Sequence, residues 1–587
     1  MFRIPLRLLA ALALVALTGF VVACGSSNDK SSGSASKTGG GAPAKGKKGG
    51  KLEQLGASDV DFLDPGQTYY TGGYQVLYAT QKTLYSFEPG KPAAKPDLAE
   101  TEPVISDDKK TVTVTLKKGV KFAPPVNREI QAKDVKYAFE RAFSKNVPNQ
   151  YTTYFNFIEG APAKPGPTKD ISGIQIDPKD PFKLTFKLSK PQGVGFAASL
   201  VMPISAPVPR EYAEKFDNES PSTYNENVVA SGPYMVENNA QGKDVGYKAG
   251  KSIHLVRNPN WDASKDFRPA YLDEITMRTN ATDANVSGRQ VLSGQNLTLD
   301  TNPPAQVLKR VVQRQKDQLS TVPSGGFRWF PLNMTIKPLD NINVRKAILA
   351  GFDRTAAIKA RGGSFVGIPG THFIPPGIGG FEEAGGKKGP GFDFLANPNG
   401  DMAVATKYMK AAGYSSGKYD GSDELLMVTA NVDPGKAQAE VAKAQLEKLG
   451  FKIRLRTVPQ DAVYTEWCQQ PAKKVAICGA AGWFKDFNDP QSMLEPTFKG
   501  SNISKEGGNN NLPQLNDPKI DKAMDDAALL AGDERNQAWG EIDKMITAQA
   551  PAVPFVWDNT NLIHSKNVNG VASEYFTAFD FSFTSIK

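Results

Sequence analysis

Residues 425–487 read LLMVTANVDPGKAQAEVAKAQLEKLGFKIRLRTVPQDAVYTEWCQQPAKKVAICGAAGWFKDF, and the punctuation of this stretch decides the fold. Leu425 to Thr429 is a short apolar strand, and Lys436 to Leu449 reads as a helix stopped by Gly450. Phe451 to Val458 alternates, Asp461 to Trp467 is short and helical, and Val475 to Ala481 is again an apolar strand. Strands alternating with helices predict an α/β lobe built on a largely parallel sheet. Ligands of open α/β sheets bind beyond the carboxyl ends of the strands. Gly482-Trp483-Phe484-Lys485-Asp486-Phe487 lies at such an end and is the first candidate for a site.

Upstream, Thr111 to Leu116 and Lys183 to Leu188 alternate as half-buried strands do. Between them Val135, Ala138, Phe139, Ala142 and Phe143 form one apolar stripe on a helix beginning near Asp134. The Pro- and Gly-rich stretches at 160–167 and 367–391 read as long surface loops.

The amino-terminal segment carries an address. Arg3 and Arg7 precede an apolar run from Leu8 to Phe20, and Val21-Val22-Ala23-Cys24 looks like a bacterial lipobox. A secretory leader has this layout, and the run is short for a membrane span. The expectation is a signal peptide over 1–23, cleavage before Cys24 and lipidation of its thiol. Two or more acyl chains make a stable anchor where one does not. Residues 24–50, rich in Gly, Ser, Ala and Lys, cannot bury enough apolar surface to order themselves and are expected to form a flexible tether.

Of the 587 residues, 40% are hydrophobic and 22% charged, ordinary for a globular chain that is long enough for two or three domains. The net charge of +9 is unevenly placed: residues 1–51 hold eight Lys/Arg against Asp29 alone. The body is close to neutral, so no polyanionic partner such as nucleic acid is implied. Three cysteines occur, and with Cys24 assigned, Cys468 and Cys478 remain as an expected disulfide in an exported protein.

Catalytic signatures are weak. His254, His372 and His564 make no ligand pair at helical spacing, so no metal or other cofactor is expected. Gly413-Tyr414-Ser415-Ser416-Gly417 matches a nucleophile elbow formally, but Met402 to Ala412 before it reads as a helix with Gly413 as its stop. Gly250-Lys251-Ser252 lacks the first glycine of a phosphate loop, since Val245 stands there. Gly377-Ile378-Gly379 is half a dinucleotide fingerprint with Glu382 at its third glycine. A binding role is expected in preference to an enzyme, although two distant acids cannot be paired by inspection.

A resemblance then covers the chain from about residue 60 to its end. It rests on Leu63-Asp64-Pro65, Pro96-Asp97-Leu98-Ala99-Glu100, Thr113 to Phe122, and Ala132-Lys133-Asp134-Val135 with Ala138-Phe139-Glu140-Arg141. Ser231-Gly232-Pro233-Tyr234, Arg257-Asn258-Pro259, Tyr271 to Ile275, Val344 to Ile348 and Pro551 to Phe555 continue it in order. Together these resemble the peptide-type, family 5 solute-binding proteins of ABC importers, the group with oligopeptide- and dipeptide-binding lipoproteins. Thr101-Glu102-Pro103 and Ala123-Pro124-Pro125-Val126 depart from the family pattern in surface turns. The resemblance implies an α/β fold of the two-lobed, type II periplasmic-binding-protein kind, in its large peptide-binding subclass. One lobe would use 51–83, 228–322 and 553–587, an extra small domain 84–227, and the second lobe 323–552. Closure about a hinge would trap the ligand. The cargo it implies is a short peptide, delivered by a monomeric, lipid-anchored protein on the outer face of a membrane, in a Gram-positive bacterium, to a separate permease and its ATPase subunits.

The resemblance also implies site residues. Trp483-Phe484-Lys485-Asp486-Phe487-Asn488-Asp489-Pro490 matches, in register, the family motif whose aspartate pairs with a peptide's α-ammonium. A free amino terminus enclosed without a partner would be costly, and a carboxylate supplies a charge-assisted hydrogen bond. The bland alternative makes Asp486 the cap of the turn into Pro490. Gly482, Trp483 and Phe484 match the strand that pairs with an extended peptide. Tyr151 corresponds to a tyrosine near the peptide's amino end, and Thr71 to a residue offering main-chain pairing from the other lobe. The alternatives are an importer receptor for an oligosaccharide, nickel chelate or opine and, more remotely, a secreted hydrolase or structural lipoprotein.

Overall fold

The computed structural model describes residues 46–587 except Pro92, Thr301, Asp461, Ala480 and Glu506. The signal peptide, Cys24 and the expected tether up to residue 45 lie outside the described residues. Gly49 and Gly50, expected within the tether, are bonded to the body: the Gly49 N–H donates to the Tyr271 carbonyl at 2.8 Å and the Gly50 N–H to Asp273 at 3.0 Å. Those bonds lead directly into the strand Lys51–Leu55.

That strand lies inside a six-stranded mixed sheet, ordered Leu297–Leu299, Lys51–Leu55, Glu274–Arg278, Ser252–Arg257, Tyr234–Val236, with Tyr247–Lys248 beside Ser252–Arg257. Leu52, Ile253, Leu255 and Ile275 are buried on it, as alternation requires. A separate antiparallel sheet is ordered Val104–Ile105, Thr111–Thr115, Asp180–Lys187, Ile174–Asp177. The helix Ala132–Ala142 contributes Val135, Phe139 and Ala142 to the same core as Val114, Leu184 and Phe186. Its start is fixed by a capping box between Gln131 and Asp134, which satisfies two otherwise orphan amides. In its last turn Arg141 is fully buried, held by Asp64 at 2.7 Å and Asp217 at 2.6 Å.

A three-stranded parallel sheet, Lys452–Val458, Glu424–Ala430 and Ile477–Cys478, carries the helix Gly435–Lys448. Gly450 follows with φ of 98°, the left-handed stop expected there. Gly413, with φ of 103°, likewise stops the helix Met402–Ala411, which removes the nucleophile-elbow reading. Two long antiparallel strands, Leu319–Pro331 and Ala552–Ile563, join these regions. At one end His564 bridges to Thr298 of the six-stranded sheet; at the other Leu332 bridges to Ile477 of the parallel one.

Three local expectations change. Val475 to Ala481 is not one strand: Ile477–Cys478 belongs to the parallel sheet, and Ala481–Phe484 is the edge of a second sheet. The break falls at Gly479, whose N–H is taken by the Val428 carbonyl. Residues 367–391 are irregular but are not a surface loop. Phe373, Ile374, Ile378 and Phe381 are core residues there. Buried irregular backbone needs partners, and the Asp543 carboxylate accepts from the N–H groups of Phe373 and Ile374 while contacting His372 at 2.8 Å. The segment expected to be helical over 461–467 is a π-helix at Val463–Cys468.

Cys468 and Cys478 form a disulfide with Cα atoms 5.9 Å apart. Closing so short a loop removes about 2.5–3 kcal/mol of unfolded-state entropy on the chain-entropy view. Replacing both cysteines by alanine should lower stability by about that amount, read from denaturant midpoints of the matched proteins. Among the described residues no helix is long and apolar enough to cross a membrane, and no cluster of His, Cys, Asp and Glu is arranged to hold a metal ion.

Candidate functional site

Among the described residues the strand Ala481–Phe484 pairs with Gly326 to Trp329 of the long strand Leu319–Pro331 and with no other strand, and it forms one edge of the four-stranded sheet Gly367–Ile368, Ala552–Ile563, Leu319–Pro331, Ala481–Phe484. The Gly482 N–H points away from that ladder and donates to the Tyr464 hydroxyl at 3.1 Å. The alternation of an antiparallel ladder therefore turns the main-chain groups of Phe484 outward as well. Gly482 has no room for a side chain, since a Cβ there would come within 2.3 Å of the Arg328 guanidinium. The same guanidinium sits 4.8 Å from the Phe484 ring centroid, and the Trp483 indole donates to the Ser492 carbonyl at 2.8 Å. Both aromatic side chains are thus fixed, and the strand presents a stiff main-chain edge.

Beyond the strand the chain turns, and two aspartates divide the work. Asp489 accepts from the Gln491 N–H at 2.9 Å as N-cap of the helix Pro490–Phe498 and takes both arms of Arg535 at 2.8 Å. Asp486 is therefore not the cap. Its carboxylate is buried and accepts from Tyr69 at 2.8 Å and from Tyr154 at 2.5 Å, while its own carbonyl accepts from Tyr575 at 2.6 Å. Among the described residues no Lys or Arg forms an ion pair with it. Burial pushes the carboxyl up to about 7, against the two tyrosine hydrogen bonds that favour its ionised form. Burial and the neighbouring Asp486 push Tyr69 and Tyr154 well above the usual phenol range, so both stay neutral donors. Close by, the buried Tyr74 hydroxyl has no hydrogen-bond partner among the described residues, and its ring lies 6.4 Å from that of Tyr575. The arrangement is a desolvated acid held by hydroxyls alone, beside an unsatisfied hydroxyl. The chemical complement of such an acid is a cationic donor.

The structure brings Gly482, Trp483, Phe484 and Asp486 together, and it places Tyr151 and Thr71 differently. Tyr151 is fully buried with its hydroxyl donated to the Pro65 carbonyl at 2.7 Å, and its ring backs Tyr69 at 5.8 Å. Of the pair in Tyr151-Thr-Thr-Tyr154, Tyr154 reaches Asp486. Thr71 is exposed at the first turn of the helix Thr71–Thr80, and Tyr69 two residues earlier makes the contact. Sequence reasoning had signals for Tyr69 and Tyr154 in those neighbours, and none for Tyr575.

A family profile described as bacterial extracellular solute-binding proteins, family 5, middle region, matches residues 93–505. The chain belongs to the family 5 solute-binding proteins. This family serves ABC importers as non-enzymatic substrate-binding proteins, and its members work outside the cytoplasm. The chain is 26% identical over 527 residues to a dipeptide-binding protein of Pseudomonas aeruginosa, covering 86% of this chain and 90% of that one. It is also 26% identical over 502 residues to heme-binding protein A of Haemophilus influenzae, covering 83% and 82%. Among solved structures it is similar to clavulanic acid biosynthesis oligopeptide binding protein 2, with a TM-score of 0.78, 23% identity and coverage of 93% and 96%. The α/β fold is the one that family 5 peptide-binding proteins share.

Proposed function

We propose that this family 5 protein captures short peptides outside the membrane and hands them to a separate ABC permease. Asp486 would hold the α-ammonium, Tyr69 and Tyr154 would steer its carboxylate, and the edge strand Gly482 to Phe484 would pair with the peptide main chain. The observation that carries this reading is a buried carboxylate with two hydroxyl donors and no cation among the described residues. Tyr151 would act through Tyr69, and Thr71 would stand at the rim. Two lobes and a small domain, with the long strands as hinge, would close around the ligand. Lipidation of Cys24 would tie the protein to the membrane; the Cys24→Ser protein should then leave the detergent phase that retains wild type.

The heme-binding relative, at the same identity as the dipeptide-binding one, gives a non-peptide cargo as the second reading. Calorimetry with short peptides carrying a free or an N-acetylated amino end separates the two. Peptide capture requires strong binding of the free form and weak binding of the acetylated form. Equal affinity for both would transfer the assignment to a non-peptide ligand.

Affinity should also depend on pH in a defined direction. An ammonium binds the ionised carboxylate, and empty Asp486 titrates at about 7. Affinity should rise by about tenfold per pH unit below that value and level off above it, until the ligand's own amine titrates near 8. Calorimetry between pH 5.5 and 8, in buffers of different ionisation enthalpy, reads the proton released. In the empty protein the same group acts on stability: its folded value lies above the ordinary 3.8, so its contribution is full below 3.8 and is lost as pH rises toward 7.

A further inference from the structure

The edge strand Ala481–Phe484 is not open along its whole length. Its outward main-chain groups belong to alternate residues, Gly482 and Phe484, and the alternation continues past the strand. The Lys485 N–H turns inward to the Gly325 carbonyl at 3.2 Å, and the Asp486 carbonyl accepts from Tyr575 at 2.6 Å. The Gly482 N–H is already taken. The Tyr464 hydroxyl accepts it at 3.1 Å, in the place that a partner strand's carbonyl would fill.

Tyr464 is held there by its own element. It lies on the π-helix Val463–Cys468, and single-turn π segments are frequent at functional sites. Val463 and Cys468 are buried, and Tyr464 packs against the same core as Trp483. Cys468 is bonded to Cys478 of the strand Ile477–Cys478, just upstream of the edge. The disulfide thus ties the helix that carries the hydroxyl to the chain leading into the amide that it caps.

The spacing fixes what this means for a ligand. With its ammonium at Asp486, a peptide following the edge runs back toward Gly482, antiparallel to the strand. Strands rise about 3.4 Å per residue, so Gly482 lies about 14 Å from Asp486 along the edge, the length of about four ligand residues. Phe484 offers both main-chain groups to the near part of the ligand. The next outward amide, at Gly482, is closed. Displacing the hydroxyl would exchange one hydrogen bond for another, with little net gain.

We propose that Tyr464 sets the length of ligand that the edge rewards: its hydroxyl ends main-chain pairing after Phe484. Di- and tripeptides then use all of the edge that is open, and longer peptides gain nothing more from it. The inference rests on the peptide reading and adds a length limit that Asp486 alone does not impose.

Calorimetry with trialanine and pentaalanine on wild type, Tyr464→Phe and Tyr464→Ala tests the stop. Denaturant midpoints report whether each variant folds as wild type does. The preference for pentaalanine over trialanine should rise by about three- to tenfold in the variants, most in Tyr464→Ala, because the freed amide gains one ligand carbonyl. Comparing the same two peptides across the proteins cancels whatever their carboxyl ends contribute. Amide hydrogen exchange reads the atom itself. The Gly482 N–H should exchange faster in Tyr464→Phe than in wild type, and pentaalanine but not trialanine should restore its protection. A peptide preference equal in all three proteins, or a gain in affinity shared equally by both peptides, would overturn the stop and leave the Asp486 reading standing. Failure of wild type to bind either peptide would overturn both together.

Discussion

Asp486→Ala should lower affinity for a free-amino peptide by roughly two to three and a half orders of magnitude, because stranding a charge in a closed, dry site costs about 3–5 kcal/mol. Acetylating the peptide deletes the same contact from the other side and should weaken wild type heavily. In the Asp486→Ala protein acetylation should matter little, since both changes remove one interaction and are not additive. Calorimetry on the four combinations measures the coupling. Near-zero coupling would show that Asp486 and the ammonium do not meet. The tyrosines sharpen the expectation: with the carboxylate gone, Tyr69 and Tyr154 keep their places but lose their acceptor.

The second large effect is structural. Arg141 fills the space between Asp64 and Asp217, with side chains at 0%, 0% and 2% exposure. It donates two bonds to each carboxylate, and Tyr137 and Ser222 complete the shell of Asp217. Arg141→Met should cost about 3–5 kcal/mol, since it leaves two buried carboxylates without their counter-charge. Combining it with Asp64→Asn and Asp217→Asn should recover a large part of the loss, because the uncompensated charges go with the arginine. Denaturant midpoints of the single and triple variants read both statements. A triple variant no more stable than Arg141→Met would mean that packing, not charge, sets the cost.

Much of this was legible in the sequence where the signal is local. The helix ending before Gly450, the alternating strand at 111–115 and the helix stop at Gly413 each follow from spacing and a single glycine. Asp64 and Arg141 stood in two separate matching motifs, and the structure joins them across 77 positions with Asp217, which no motif marked. The site shows the same limit. The register of Trp483 to Pro490 identified Asp486, but not the hydroxyls that hold it. Tyr151 and Tyr154 are three residues apart on one turn, and only its packing sends one to Pro65 and the other to Asp486. The apolar run at 475–481 looked like one strand, but its residues belong to two sheets parted at Gly479, a tertiary fact with little local trace.

The open edge at Ala481–Phe484 is laddered onto Leu319–Pro331, one of the two strands that run between the sheets of the molecule. A peptide added there would make a fifth strand on a sheet that now has four. Cargo would then brace the joint itself, and the register shift between Pro323 and Phe327, where the ladder is interrupted, is where flexing would be damped. Occupancy would be written into the stiffness of the hinge, so a permease could distinguish loaded from empty protein by resistance to opening as well as by outline.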